Sequence, residues 1–109
     1  MLDASADDVI FRALADFRRR EILDLLSERP RTTGELCKHF ERALDRCTVL
    51  QHISVLVRAG LVIARREGRV RWNYLDIGPI MAIQDRWISP YARQSAKLLS
   101  RLKRDLEGA

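Results

Sequence analysis

Between Thr32 and Leu75 the apolar residues change period, and this change constrains the fold more than any other feature of the chain. Leu36, Phe40 and Leu44 recur at helical spacing, as do Val49, Ile53 and Leu56 after them. Thr32-Thr33-Gly34-Glu35 reads as a reciprocal capping box at the start of the first of these helices, and Asp45 caps the second, which should stop at Ala59-Gly60. The period then falls to two. Leu61-Val62-Ile63-Ala64-Arg65-Arg66 leads into Glu67-Gly68-Arg69, and Val70, Trp72 and Tyr74 then alternate with Arg71 and Asn73, a pair of strands around a glycine turn.

The flanks are helical. Val9, Ile10, Ala13 and Leu14 suggest a first helix over 7–14, with Ser5 or Asp7 as its cap. Asp16 caps a second, carrying Ile22, Leu23, Leu25 and Leu26, and Glu28-Arg29-Pro30 ends it because proline disfavours helical geometry in the residue before it. After Gly78-Pro79 a long terminal helix places Ile80, Ile83, Trp87, Tyr91, Leu98, Leu102 and Leu106 on one stripe, and Pro90 should kink it or split it in two. The 109 residues fit one domain, 1–109, with a core over 7–75 and the terminal helix or helices over 79–107. No internal repeat, linker or low-complexity stretch interrupts them.

Composition narrows the functional classes. At 47% hydrophobic the chain can offset its ordering entropy, so disorder is not expected. No uncharged stretch approaches the roughly 20 residues of a membrane span. Asp3, Asp7 and Asp8 stand where a secretory leader would be basic and then apolar. Cys37 and Cys47 are too few for a disulfide framework, and a reducing, cytoplasmic setting is expected. A net charge of +5 favours polyanionic partners. There is no phosphate-binding glycine loop, no nucleophile with a base at usable spacing and no carboxylate pair, so an enzyme is not expected.

Two helices joined by a short turn and followed by a basic hairpin make the order of a winged helix-turn-helix, which sets one helix in the DNA major groove. The expected fold is mainly α with a small β-hairpin and a long C-terminal dimerisation helix. The sequence also resembles a family, carried by Phe11-Arg12-Ala13-Leu14-Ala15-Asp16, Arg19-Arg20-Glu21-Ile22-Leu23, Thr33-Gly34-Glu35-Leu36, His52-Ile53-Ser54-Val55-Leu56, Ala59-Gly60-Leu61-Val62 and Arg66-Glu67-Gly68-Arg69. Taken in order, these segments resemble the ArsR-type (ArsR/SmtB-like) winged-helix repressors of bacteria over about residues 9–75. The resemblance implies a homodimer, joined through its terminal helices, that represses transcription from a partly palindromic operator until a signal releases it. Three departures stand out. Phe17 replaces a usual proline, and the segment from Phe40 to Asp45 is about two residues longer than usual. Thr32 and Gly34 occupy the positions of the Cys-x-Cys pair of metal-sensing relatives, and no histidine follows His52 to supply the other known site. No metal or cofactor is therefore expected.

With Val49, Ile53 and Leu56 inward, a step of 100° per residue turns Leu50, Gln51, Ser54 and Arg58 outward, with Thr48 at the margin. Gln51 suits a bidentate contact to adenine, Leu50 or the Thr48 methyl a thymine methyl, and Ser54 or Arg46 a phosphate. Arg65, Arg66, Arg69 and Arg71 around the hairpin tip suit phosphates or a minor groove, and Trp72 and Tyr74 should pack beneath the hairpin. Ile80, Ile83, Trp87, Tyr91, Leu98 and Leu102 are the expected dimer interface, leaving Arg93, Lys97, Arg101, Lys103 and Arg104 solvated. His52 falls beside the buried stripe as a hydrogen-bonded structural residue. Cys37 and His39 are too close in sequence to share a helix face as metal ligands. Cys47, in the first turn of the outward helix, is a candidate redox residue. The expected partners are double-stranded DNA and a second copy of the chain, with no membrane and an unidentified effector. The competing readings are a winged-helix module that binds protein, which has no need of four tip arginines, and a metal sensor with a non-standard site.

Overall fold

The computed structural model describes the backbone of residues 2–108 and the side chains of 6–108. It divides into two compact units, the first running to Pro79 and the second starting at Ile80.

The first unit opens with helix α1 (Leu2–Leu14), which starts before the expected cap, so that Ser5 and Asp7 lie within it. Helix α2 (Phe17–Glu28) begins where expected, because the Asp16 carboxylate accepts from the amides of Arg18 and Arg19. The turn between them is closed by side chains of α2. Arg19 donates to the carbonyls of Ala13 and Arg12, both at 2.8 Å, and Arg20 donates to that of Leu14 at 2.6 Å, so the orphan carbonyls ending α1 are capped by guanidinium groups.

Pro30 stops α2, and the extended chain after it forms a strand absent from the sequence reading, β1 (Arg31–Thr32). Helix α3 (Thr33–His39) follows at once. Only half of its capping box forms. Thr32 Oγ1 accepts from the Glu35 amide at 3.1 Å, but the Glu35 carboxylate pairs with Arg29 at 3.0 Å instead of turning back to Thr32. The helix is shorter than its apolar stripe implied, since residues 40–44 form hydrogen-bonded turns in which Ala43 and Leu44 both donate to the Phe40 carbonyl. Phe40 is buried and Leu44 only half-buried. Helix α4 (Arg46–Arg58) then runs to Ala59, where Gly60 at φ +78° turns the chain in a conformation open to glycine at little cost.

Strands β2 (Val62–Glu67) and β3 (Val70–Leu75) complete an antiparallel sheet in the order β1-β3-β2. Gly68, at φ +63°, takes the first position of the two-residue turn between them. The core of this unit is Ala13 from α1, Ile22, Leu23 and Leu26 from α2, Leu36 and Phe40, Val49, Ile53 and Leu56 from α4, and Leu61 and Val62 leading into β2. Each large apolar side chain removed from water here contributes roughly 1.5–3 kcal/mol before entropy is counted.

The second unit is helical. Helix α5 (Gly78–Ile83), which starts in the first unit where Asp76 accepts from the Gly78 amide, passes into a π-helical turn (Gln84–Ile88) and then into α6 (Ser89–Gly108). The expected break at Pro90 takes the form of that π turn. Proline supplies no amide and crowds the carbonyl four residues back, and the wider turn, closed by the Ser89 amide on the Gln84 carbonyl, relieves the crowding. No described helix is long and apolar enough to cross a membrane.

Candidate nucleic-acid interface

Helix α4 carries the outward face read from the sequence. Gln51, Ser54 and Arg58 are exposed, as are Arg46 and Cys47 in the first turn, while Thr48 and Leu50 are half-buried. The opposite side is anchored by Val49, Ile53 and Leu56, each no more than 1% exposed, so the helix presents its polar face from a fixed seat. Asp45 starts it by accepting from the Thr48 amide at 2.7 Å. The Thr48 amide, and then its hydroxyl, hold the Asp45 carboxyl below the usual carboxylate range.

His52 is tied down, as its position beside the buried stripe implied. Arg19 lies 3.3 Å from its Nδ1, and because a guanidinium can only donate, Nδ1 is the acceptor. His39 pairs with Glu21 at 2.9 Å and packs edge-on against Phe40. Among the described residues no cluster of three or more histidine, cysteine, aspartate or glutamate side chains is placed to hold a metal ion. Cys37 is half-buried and Cys47 exposed, both as free thiols.

The hairpin corrects one expectation. Val62, Ala64 and Arg66 share a face of the ribbon with Arg71, Asn73 and Leu75, and on that face Asn73 is fully buried. Trp72 and Tyr74 therefore lie on the opposite face with Ile63 and Arg65, half-buried rather than packed beneath the hairpin. Alternation was read correctly but assigned to the wrong side, because the inward polar residue, Asn73, does not look like core. Its amide donates to the Arg31 carbonyl at 3.2 Å and to Thr33 Oγ1 at 3.1 Å, which fastens β1 and the start of α3 to β3.

The same register brings the wing arginines together unequally. Arg66 sits directly opposite Arg71, whereas Arg65 sits opposite Trp72 on the other face. Arg66, Arg69 and Arg71 line one groove with Arg46 and Leu50 of α4 and with Thr32, Thr33 and Gly34 at the start of α3, a concavity of about 400 Å³. Gln51, Ser54 and Arg58 do not line it and stand on the open face of α4. Thr32 and Thr33, expected from the sequence as part of a capping box and a family motif and not as part of the interface, both line this groove. The signal was the capping box, which places both threonines at the helix start nearest the wing strand that pairs with β1.

In the second unit Trp87, Tyr91, Leu98 and Leu102 are all more than half exposed, with Leu99 and Leu106 beside them. Trp87 and Tyr91 meet edge to face at 5.9 Å. Ile83, at 4% exposure, is already buried within a single chain and Ile80 is half-buried, so these two of the six expected interface residues have little area left to give a partner.

Comparison with known proteins agrees with this geometry. The family model for bacterial regulatory proteins of the arsR family matches residues 16–64. An uncharacterized HTH-type transcriptional regulator of Bacillus subtilis, YuzN, is 37% identical over 86 residues, which are 74% of this chain and 94% of that protein. The crystal structure of an ArsR family transcriptional regulator superposes with a TM-score of 0.75 at 30% identity, covering 85% of this chain and 93% of the other. A homodimeric winged helix-turn-helix DNA-binding domain from Mycobacterium bovis gives a TM-score of 0.61 at 25% identity, covering 97% of this chain and 86% of that one.

Proposed function

The chain belongs to the arsR family of bacterial regulatory proteins, and on that premise we propose that it acts as a homodimeric repressor whose two α4 helices enter successive major grooves of a partly palindromic operator. It is a winged helix-turn-helix transcriptional regulator, not an enzyme. The observation that carries the DNA reading is the arginine-lined groove, which places the wing beside the exposed face of α4. Gln51 reads adenine, and Leu50 or the Thr48 methyl meets thymine. Ser54, Arg58 and Arg46 hold backbone phosphates on either side. Arg66, Arg69 and Arg71 grip the flanking backbone or minor groove, and Arg65 approaches from the outer face of the ribbon.

Pairing of two copies rests on the exposed stripe of Trp87, Tyr91, Leu98 and Leu102, and the homodimeric state of the M. bovis domain supports it. Contiguous apolar surface of this kind marks an association site. Occupancy of the operator by the dimer excludes other proteins from the same DNA, the simplest route to repression, and the protein is expected to act in the cytoplasm. Selection of bound sequences from a random DNA pool tests the whole reading. The expected product is a two-fold symmetric site with half-sites about one helical turn, roughly 34–36 Å, apart. Recovery of unrelated sequences, bound no better than bulk DNA, would refute it.

A further inference from the structure

The groove between wing and helices brings four guanidinium groups to one concavity of about 400 Å³. We propose that it is a binding site for a small, multiply charged phosphate-class anion, and that its occupancy excludes DNA. The inference deepens the DNA-binding reading, since it assigns the same surface a competing ligand.

Five observations support it. Arg46, Arg66, Arg69 and Arg71 reach the groove from α4, from β2, from the turn and from β3, and none of its nine lining residues is acidic. None of the four guanidinium groups has an ion pair among the described residues, whereas Arg18, Arg19, Arg29 and Arg31 in the body of the unit each have a carboxylate partner. Arg66 and Arg71 are direct cross-strand neighbours, an arrangement that costs stability when both carry the same charge. One phosphodiester brings a single negative charge to this cluster, whereas a pyrophosphate brings several, with oxygens enough for two bidentate guanidinium contacts. Thr33 is 93% buried, accepts from Asn73 Nδ2 and lines the same groove, so the start of α3 is fixed against β3 beside the arginines. The volume of about 400 Å³ falls within the range of roughly 300–1,000 Å³ typical of small-molecule sites.

Thermal melting of the full chain with inorganic pyrophosphate tests this, with ionic strength held constant by sodium chloride. Dimethyl phosphate, a single diester, forms a parallel arm. Pyrophosphate is expected to raise the melting temperature by a few degrees in a saturable manner and to weaken binding to bulk DNA at least tenfold. Dimethyl phosphate should do neither at the same concentration. The double variant Arg66→Gln, Arg71→Gln should lose the melting shift, while Arg93→Gln with Arg101→Gln on α6, which also removes two charges, should keep it. Equal effects of pyrophosphate and chloride, equal effects of the two phosphates, or a shift that survives in the double variant each overturn the proposal. Bulk DNA binding measured without added anion keeps the two readings apart. Binding of DNA without a pyrophosphate effect sinks the anion site alone, and a pyrophosphate melting shift without DNA binding sinks the DNA reading and the competition while leaving the anion site.

Discussion

The Arg19 guanidinium lies 3.3 Å from Nδ1 of His52, and the same guanidinium holds the last carbonyls of α1 at 2.8 Å. One side chain of α2 thus joins the end of α1 to the inner side of α4. Half-buried His52 lies one residue from exposed Gln51, so this contact helps to set the azimuth of the exposed face of α4. Asp16, 3.9 Å from Arg19, completes the cluster.

Arg19→Met should keep the aliphatic packing of the stem while leaving the α1 carbonyls and the His52 ring without their donor. Loss of a hydrogen bond of this sort costs about 1–3 kcal/mol where a group is left unsatisfied. His52→Ala should cost less, and the double variant less than the sum of the two. Urea unfolding of the four proteins gives the coupling, and strict additivity would show that the contact carries no energy.

Asn73 is fully buried and its Oδ1 accepts no hydrogen bond among the described residues, so the residue is held by its two donor contacts. Asn73→Ala should destabilise by about 1–3 kcal/mol and speed amide exchange at Arg31 and Thr32, because β1 loses its side-chain tie. Asn73→Asp should be worse at neutral pH, since a buried carboxylate would face the Arg31 carbonyl. Stability ranking Asp above Ala would show that the amide donors are not what the site needs.

Much of this architecture was legible because it rests on local chemistry. Asp16, Thr32 and Asp45 cap their helices where short polar residues precede apolar periods, and Gly68 turns the hairpin where the alternation breaks. What escaped the sequence depends on non-local pairing. A two-residue strand such as β1 has no period to detect, and the inward side of β3 is marked by Asn73, whose burial makes sense only once Arg31 and Thr33 are seen beside it. Gln51, Ser54 and Arg58 stand exposed on α4 as helical spacing implies, but the convergence of Arg46 with Arg66, Arg69 and Arg71 depends on how strand register meets helix packing. Alternation alone does show that Arg65 and Arg66 point apart, and grouping them by proximity in sequence obscured it.

Acid should weaken the fold through the helix caps. For Asp45 the Thr48 contacts lower the carboxyl pKa. For Asp16 burial raises it, and the Arg18 and Arg19 amides together with the nearby His52 and Arg19 side chains more than reverse that, so both are depressed on folding. Each depressed carboxyl contributes stability that is complete above the unfolded value of about 4 and is lost as pH falls through the lower folded value. Melting temperature should therefore decline from about pH 5 downward, and Asp16→Asn, which can still cap but cannot titrate, should flatten the decline. An acid profile unchanged by Asp16→Asn and Asp45→Asn would assign the effect elsewhere.

Gln51→Ala and Arg69→Ala should separate base reading from backbone grip. A bidentate base contact is worth about 1–3 kcal/mol of discrimination, so the first variant should lose specific affinity while keeping its affinity for random DNA. The second should bind all sequences more weakly and make the salt dependence shallower by roughly one unit. Equal losses on both DNAs for Gln51→Ala, or an unchanged salt slope for Arg69→Ala, would remove the assigned role.

Leu98→Glu with Leu102→Glu tests the pairing of two copies. Both leucines are more than half exposed in the single chain, so charges there should leave the helical content by circular dichroism intact while placing carboxylates in the interface of a dimer. Sedimentation should show the native chain as a dimer and the variant as a folded monomer. A monomer engages one half-site at a time and forfeits the effective concentration that links the two binding events, so its operator affinity should fall by about 10²–10⁴ while a single half-site binds as before. Ile83 serves as the contrast, since its side chain is buried at 4% exposure and Ile83→Glu should unfold local structure instead of only separating subunits. A variant pair that remains dimeric would place the subunit contact away from the α6 stripe.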